Sequence, residues 1–348
     1  MKVLHYHFGK EGGAEAFFCH LVRGLADSGV EQKVVIRPGR SWRDKVAGSA
    51  EILAESNFRN LSLDRWTVPR RIQRVIRDWR PDAVLAWMAR AGHLLPVDAG
   101  GALRLGRLGD YPDRLTQFER ADKLICNAPG IIDRVRDLGW TKPVELVTNF
   151  TSTERVDPID RAELDTPAGA PVVCSVGRLV PRKGFHWLIE AIAHVPEAFL
   201  WIVGDGPERT ALEELAERIG VAPRVRFTGW RNDARPCLAA SDVCVLPSRL
   251  EPLGNVILEG WSQGKPVVAS NSGGPLWLIR EGQNGLLFET GEPEDCARAI
   301  RQVLDDRGLA THLAAGGQAS LQGGFSEEAV IATYKRVLSG AEPQAAAA

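Results

Sequence analysis

Hydrophobic residues along this chain fall into short continuous runs separated by longer amphipathic stretches. Residues 3–8 form one run, the glycine-rich 9–13 follows, and over 14–28 Ala16, Phe17, Leu21 and Leu25 recur near helical spacing. That pattern predicts a strand, a tight loop and a helix. Further short runs at 33–36, 83–87 and 123–126 alternate with helical patterns, and strands separated by helical crossovers pair in parallel.

From about 150 to 171 the pattern gives way to a polar stretch containing Pro158, Pro167 and Pro171, which reads as a linker. The alternation then restarts. Strands are expected at 172–177, 199–203, 225–227, 243–246 and 267–269, and helices at about 185–194, 207–219, 255–263 and 294–305, with Pro207 opening the second of these helices. The predicted fold class is α/β. A first domain spans 1–152, a second spans 153–325, a terminal helix over 326–340 packs back on the first, and a frayed tail covers 341–348.

A length of 348 residues suits two such domains. Charge is balanced overall, 43 Lys and Arg against 44 Asp and Glu, which argues against a protein held to nucleic acid by phosphate neutralisation. The halves differ, however: 24 basic against 18 acidic residues over 1–150, and 19 against 26 beyond. Cysteines 19, 126, 174, 237, 244 and 296 contain no C-x-x-C pair and sit among apolar neighbours, as buried structural cysteines in a reducing cytosol do. The first apolar run is too short for a signal peptide, and no run of about 18 apolar residues occurs. A cytoplasmic chain that does not span a membrane is expected.

Four features of the second half fall at the C-terminal ends of predicted strands, where open α/β sheets bind ligands. Gly177-Arg178 with Lys183-Gly184, and then Gly204-Asp205-Gly206-Pro207, place cations and tight turns where a phosphate-bearing ligand would lie. Glu251-Pro252-Leu253-Gly254-Asn255 leads to Glu259, two carboxylates eight apart across a loop-to-helix junction, with the helix starting between Pro252 and Gly254. That junction puts Glu259 about one turn inside the helix and leaves free N–H groups near Gly254 and Asn255. Ser270-Asn271-Ser272-Gly273-Gly274-Pro275 follows the next strand. No Asp-x-Asp and no His/Cys ligand cluster is present, so no metal or other cofactor is expected.

In their order and spacing these motifs resemble the retaining family 4 glycosyltransferases of the GT-B fold, and Gly12-Gly13-Ala14-Glu15 is similar to that family's N-terminal GGxE. The resemblance covers nearly the whole chain and is densest over 172–290. It implies two Rossmann-like domains with parallel sheets facing across a cleft, and transfer of a sugar from a nucleotide-sugar donor to an acceptor held by the first domain. Carried over to matching positions, Arg178, Lys183, Gly13, Gly254 and Asn255 would hold the donor diphosphate and Glu259 the ribose. Glu251 with Pro252, Leu253 and Gly254 would hold the sugar, Glu251 also acting in catalysis. Fixed cations at the leaving diphosphate would do the work of a metal.

Two departures stand out. Many relatives carry an acceptor-side His soon after a strand, whereas the corresponding neighbourhood here reads Arg107-Leu108-Gly109-Asp110-Tyr111; Asp110 and His93 are the catalytic candidates on that side. Where relatives often carry Glu, this chain has Trp277. Within the family the chain looks most like bacterial enzymes of lipopolysaccharide core or other surface-glycan assembly. Read independently, Arg65, Arg70, Arg71, Arg74, Arg77 and Arg80 surround Ile72, Val75, Ile76 and Trp79, an amphipathic pattern suited either to an anionic membrane surface or to the solvated face of a helix packed on the sheet.

Blander readings stay beside these. The two glycine motifs also suit simple turns, and His5, His7, His20, His186, His194 and His312 suit structural roles. Trp201 and Trp261 suit core packing, and Trp230 a place near the donor base. Outside transfer, a nucleotide-sugar epimerase or hydrolase of the same fold, or a non-catalytic binding module, remains as an alternative.

Overall fold

The computed structural model describes residues 1–10, 12–57 and 64–342, except for the side chains of 64–66. Arg65 therefore falls outside the described side chains, and the tail residues 343–348 outside the described chain. Two compact units emerge, Met1–Asn149 together with the chain from Glu327 onward, and Phe150–Ser326.

The first unit runs β1 (Lys2–His7), α1 (Gly13–Asp27), β2 (Glu31–Ile36), α2 (Arg43–Ala47), β3 (Glu51–Glu55), α3 (Asp64–Trp79), β4 (Ala83–Trp87), α4 (Met88–Gly92), β5 (Leu103–Leu108), β6 (Lys123–Cys126), α5 (Pro129–Asp137) and β7 (Val144–Leu146). Its seven strands are all parallel in the order β3-β2-β1-β4-β5-β6-β7. Central strands covered on both faces must be apolar almost throughout, and β4 is buried at every residue. The polar exceptions are paired inside: His5 Nε2 and Gln32 Oε1 are 3.1 Å apart, and Gln32 Nε2 donates to the Val22 carbonyl at 2.7 Å.

The second unit runs β8 (Val172–Val176), α6 (Phe185–Ala193), β9 (Phe199–Val203), α7 (Arg209–Arg218), β10 (Val225–Gly229), α8 (Arg235–Ala240), β11 (Val243–Leu246), α9 (Asn255–Ser262), β12 (Val267–Ser270), α10 (Gly273–Leu278), β13 (Leu286–Phe288), α11 (Pro293–Asp305) and α12 (Arg307–Gln322). Its six strands are also parallel, in the order β10-β9-β8-β11-β12-β13. The core joins the β8, β9 and β11 valines and leucines to Phe185, Leu188 and Ile192 of α6 and to Cys296 and Ile300 of α11. α13 (Glu327–Leu338) then returns to the first unit, burying Val330, Ile331, Tyr334, Val337 and Leu338.

Four strands escape the hydrophobic pattern: β3 and β7, short and partly polar, the three-residue β13, and β5, whose LRLGRL carries two arginines. The polar 150–171 stretch is not a free linker. It belongs to the second unit, where Gln263 accepts from Val156 N at 3.1 Å and Arg161 donates to the Ala240 carbonyl at 2.8 Å and pairs with Asp242 at 3.0 Å. Pro207 does not open a helix either, because α7 begins at Arg209; Glu208 N instead donates to the Leu179 carbonyl at 3.1 Å. All six cysteines are free and buried.

Candidate active site

Strand order reverses direction between β8 and β11, and such a switch point opens a crevice at the strands' C-terminal ends. The loops leaving β8, β9, β11 and β12 are tied together there by backbone hydrogen bonds. Leu179 N donates to the Asp205 carbonyl at 3.0 Å, Arg249 N to the Arg182 carbonyl at 2.9 Å, and Gly274 N to the Glu251 carbonyl at 2.7 Å. Two glycines permit this packing. A Cβ on Gly184, which has φ 67°, would stand 2.0 Å from the Pro247 oxygen, and one on Gly204, with φ 144°, would stand 2.0 Å from the Gly177 oxygen. Both motif glycines are thus fixed by backbone approaching backbone, at positive φ that side chains resist.

The close approach at Gly184 brings Lys183 against Glu251. Their Nζ and Oε2 lie 2.5 Å apart, and the same oxygen accepts from Ser248 Oγ at 3.1 Å. Glu251 is 8% exposed and Ser248 fully buried, so the pair is largely removed from water and held by a charge-assisted bond. Behind it Ser270 Oγ donates to the Ser248 carbonyl at 2.6 Å and lies 3.2 Å from Ser272 Oγ. An ammonium has three donors, so Lys183 keeps two N–H groups beyond its bond to Glu251.

Gly254, with φ 96°, caps α9, which begins at Asn255, where the 255–263 pattern starts it and just past the Pro252–Gly254 junction. Glu259 stands four residues along, on the face of Asn255 one turn away. It keeps partial solvent access, yet desolvation and the nearby Asp233 charge push its carboxyl up to about 7, against the opposing pull of Arg235 and Lys183. Lys183 therefore acts electrostatically on both carboxylates of the E-x7-E pair. Pro252 and Leu253 are buried, leaving their backbone as the part that can face a ligand, while Arg178 is exposed.

Ser248, Ser270, Ser272, Asp233 and Arg235 are parts of this constellation to which sequence reasoning assigns no role. The serines stand inside the motif strings but resemble any loop hydroxyls, and Asp233 and Arg235 lie in a segment without pattern. Trp277 packs edge-on against Phe325, ring centres 5.5 Å apart, as a structural contact. Trp201 and Trp261 are fully buried, whereas Trp230, just beyond β10, is 49% exposed.

In the first unit Gly13 is the exposed first residue of α1, just past β1. His93 is exposed after α4, and Asp110 lies two residues past β5. Asp110 Oδ1 accepts from Tyr111 N at 3.0 Å. All three follow the C-terminal ends of strands in one sheet. Along α3, Val68, Ile72 and Ile76 are buried while Arg70, Arg71, Arg74 and Arg77 are exposed, Arg77 pairing with Asp78 at 2.9 Å. No helix of the described residues is long and apolar enough to cross a membrane, and among them no group of three His, Cys, Asp or Glu is placed to hold a metal ion.

Comparison with known proteins bears on this geometry. The family described as glycosyl transferases group 1 matches residues 170–306. The chain is 54% identical over 339 residues to the lipopolysaccharide core biosynthesis glycosyltransferase LpsE of Rhizobium meliloti, covering 97% of this chain and 99% of that one. It is 46% identical over 334 residues to LpsD of the same organism, which carries the same description, covering 96% and 97%. Among solved structures, Anabaena HepE in complex with UDP-glucose superposes with a TM-score of 0.84 at 24% identity, covering 98% of this chain and all of that one.

Proposed function

This chain belongs to the group 1 glycosyltransferases and has the GT-B fold, and on that premise we propose that it moves a hexose from a nucleotide-sugar to a glycan or glycolipid of the lipopolysaccharide core or another surface glycan. The donor is a UDP-sugar, transfer retains the anomeric configuration, and no divalent metal takes part. The observation that carries the reading is the Lys183–Glu251 pair at the switch point of the second sheet, in a chain 54% identical along its length to a lipopolysaccharide core glycosyltransferase.

The second unit receives the donor. As the anomeric carbon–oxygen bond breaks, negative charge grows on the departing diphosphate, and cations aimed at it stabilise the transition state more than the ground state. Arg178 and the two remaining N–H groups of Lys183 supply that charge, each cation at ~4 Å contributing roughly 4 kcal/mol at an effective dielectric of about 20. The first-turn backbone N–H groups of α9, at Gly254 and Asn255, add the positive end of that helix. Glu259 accepts from the ribose hydroxyls. Glu251, oriented by Lys183 and Ser248, faces the transferring sugar with the Pro252–Gly254 backbone.

The first unit holds the acceptor, with Asp110 and His93 the candidates for orienting its hydroxyl. The exposed Arg70, Arg71, Arg74, Arg77 and Arg80 suit an anionic leaflet, and on this reading the enzyme works peripherally at the cytoplasmic face of the membrane. The test is nucleoside-diphosphate release from UDP-, GDP- and ADP-sugars, with and without a bacterial glycolipid extract, in EDTA. Release from one donor, dependent on the extract, is expected, with the product's anomeric coupling matching that of the donor. Release only after magnesium is restored would overturn metal independence, and no release from any donor would overturn the reading as a whole.

A further inference from the structure

The first unit carries a charged edge that none of these roles uses. Its sheet changes direction between β1 and β4, and the register sets Ile36, His7 and Trp87 side by side as the last residues of β2, β1 and β4. The chain leaves β2 through Arg37-Pro38-Gly39-Arg40 and leaves β4 through Met88-Ala89-Arg90. Three arginines thus arise within four residues of one row, at the switch point where parallel sheets take ligands.

These arginines differ from their neighbours. Arg43 pairs with Glu55 at 2.8 Å, and Arg104 with Asp122 at 2.6 Å. Among the described residues, Arg37, Arg40 and Arg90 pair with no carboxylate. Burial, and then the charges of Arg90 and Arg40, hold Arg37 below the usual arginine range. Buried polar atoms collect at the same place: Arg40 Nε and both ring nitrogens of the fully buried His7 make no hydrogen bond among the described residues. Glu15 brings a carboxylate to this edge, its Oε1 3.5 Å from His7 Nε2 and seated where a Cβ on Gly9 would stand. Met88, which turns the chain toward Arg90, has φ 64°, a left-handed conformation costly for a side-chain residue.

Like charges gathered at a partly desolvated edge repel one another, and a bound anion reverses that term. Guanidinium forks suit planar or tetrahedral oxyanions, which they grip bidentately. Resting on the reading that this unit holds the acceptor, we propose that Arg37, Arg40 and Arg90 bind an anionic substituent of the acceptor glycan, a phosphate monoester or a carboxylate, and so select acceptors by charge. Neutral glycans of the same outline are discriminated against because they leave the three cations unpaired.

The test compares the wild type with R37Q, R40Q, R90Q and the triple variant, using donor turnover on a bacterial glycolipid extract. The extract is used untreated, stripped of phosphate esters by hydrofluoric acid, or with its carboxylates amidated. In the triple variant KM for untreated extract rises at least about tenfold, while kcat at saturation changes less than about threefold and donor KM holds, the pattern of lost acceptor binding. One of the two treatments raises the wild-type KM equally and abolishes the difference between proteins, which tells phosphate from carboxylate. An unchanged KM in the triple variant, or indifference to both treatments, overturns the proposal. Since these arginines hold no carboxylate, glutamine there breaks no ion pair, and the melting temperature stays level or rises.

A second arm does not depend on turnover. Glucose 6-phosphate and glucuronate, with glucose as the neutral control, are titrated to about 10 mM and followed by ligand NMR. At least one anionic sugar binds the wild type and weakens at least about tenfold on the triple variant; equal binding to both proteins, or no binding of either anion, overturns the site. Arginine-dependent anion binding in a protein that releases no nucleoside diphosphate from any donor would mean that the transferase reading fails while the anion site stands.

Discussion

At the residue scale, the proposed chemistry rests most heavily on the pair Lys183–Glu251. Removing either side chain leaves the other charge buried without its partner, and under the proposed mechanism removing Lys183 also withdraws a cation from the leaving group. Lys183→Ala and Glu251→Ala are each expected to lower kcat at least about tenfold with the circular dichroism spectrum unchanged; wild-type turnover in both would remove the site from this place. Glu259 offers a separate reading through pH. Its folded carboxyl sits near 7, above its ordinary value, so over the window between the two the unfolded chain releases a proton that the native protein keeps, and stability falls as pH rises. His5 and His7, lowered by burial to about 4 and about 3, act oppositely: acid pulls protons onto their unfolded forms, so stability falls as pH drops below the usual histidine range. Glu259→Gln cancels only the first effect. Its melting temperature should match the wild type at pH 4.5 and exceed it at pH 8, while donor KM rises about tenfold through loss of a charge-assisted acceptor; parallel melting curves across pH would show that folding leaves the Glu259 carboxyl at its ordinary value. Lys183, Glu251 and Glu259 were all legible in the sequence because they stand at fixed offsets from glycines. Ser248 and Asp233 were not, since their importance comes from which atom they meet.

At the element scale, most of the strands that announced themselves are largely buried, the half-buried β10 being an exception. β4, β9 and β11 are continuous apolar runs, and β1, though it carries His5 and His7, is buried at every residue after Lys2. β5 stayed hidden because it carries Arg107, a cation 1% exposed that lies over the rings of Phe17 and Trp87 at 4.8 and 4.6 Å and donates to Tyr334 Oη and Asn149 Oδ1. Only tertiary packing makes such an arginine a core residue. The loops of the second unit show the reverse, since their glycines were visible while the reason for them was not. Gly184→Ala tests that reason against a control, Gly220→Ala, because both have positive φ and only Gly184 faces a backbone oxygen, Gly220 facing nothing within 4 Å. Both should lose about 1–2 kcal/mol for a left-handed alanine, and Gly184→Ala should lose further stability as the Pro247 backbone is displaced. Only Gly184→Ala should lose most of its turnover, because parting the loops after β8 and β11 separates Lys183 from Glu251. Equal activity in the two variants would mean that the loops adjust without disturbing the pair.

At the scale of the whole molecule, the first unit cannot be completed until the second has been made. Its last element, α13, comes after the entire second unit in sequence, yet Arg107 donates to Tyr334 at 3.0 Å, Lys335 to the Ser28 carbonyl at 3.1 Å, and Arg336 pairs with Glu145 at 3.2 Å. The same helix buries five apolar or aromatic side chains, each worth roughly 1.5–3 kcal/mol when taken from water. Together these approach or exceed the ~5–15 kcal/mol by which a typical domain is stable, and losing Tyr334 also removes a partner from the buried Arg107 guanidinium. A chain ending at Ser326 is therefore expected to lose the fold of one unit and keep that of the other. Hydrogen exchange followed by mass spectrometry should show peptides of β1, β4 and β5 exchanging freely while those of β8, β9 and β11 stay protected. UDP should still raise the melting temperature of the protected unit, because the residues proposed to bind most of the donor lie within it, while transfer to the glycolipid extract disappears. Wild-type protection across β5 in the shortened chain would mean that Arg107 finds another partner and that α13 is dispensable to the first unit.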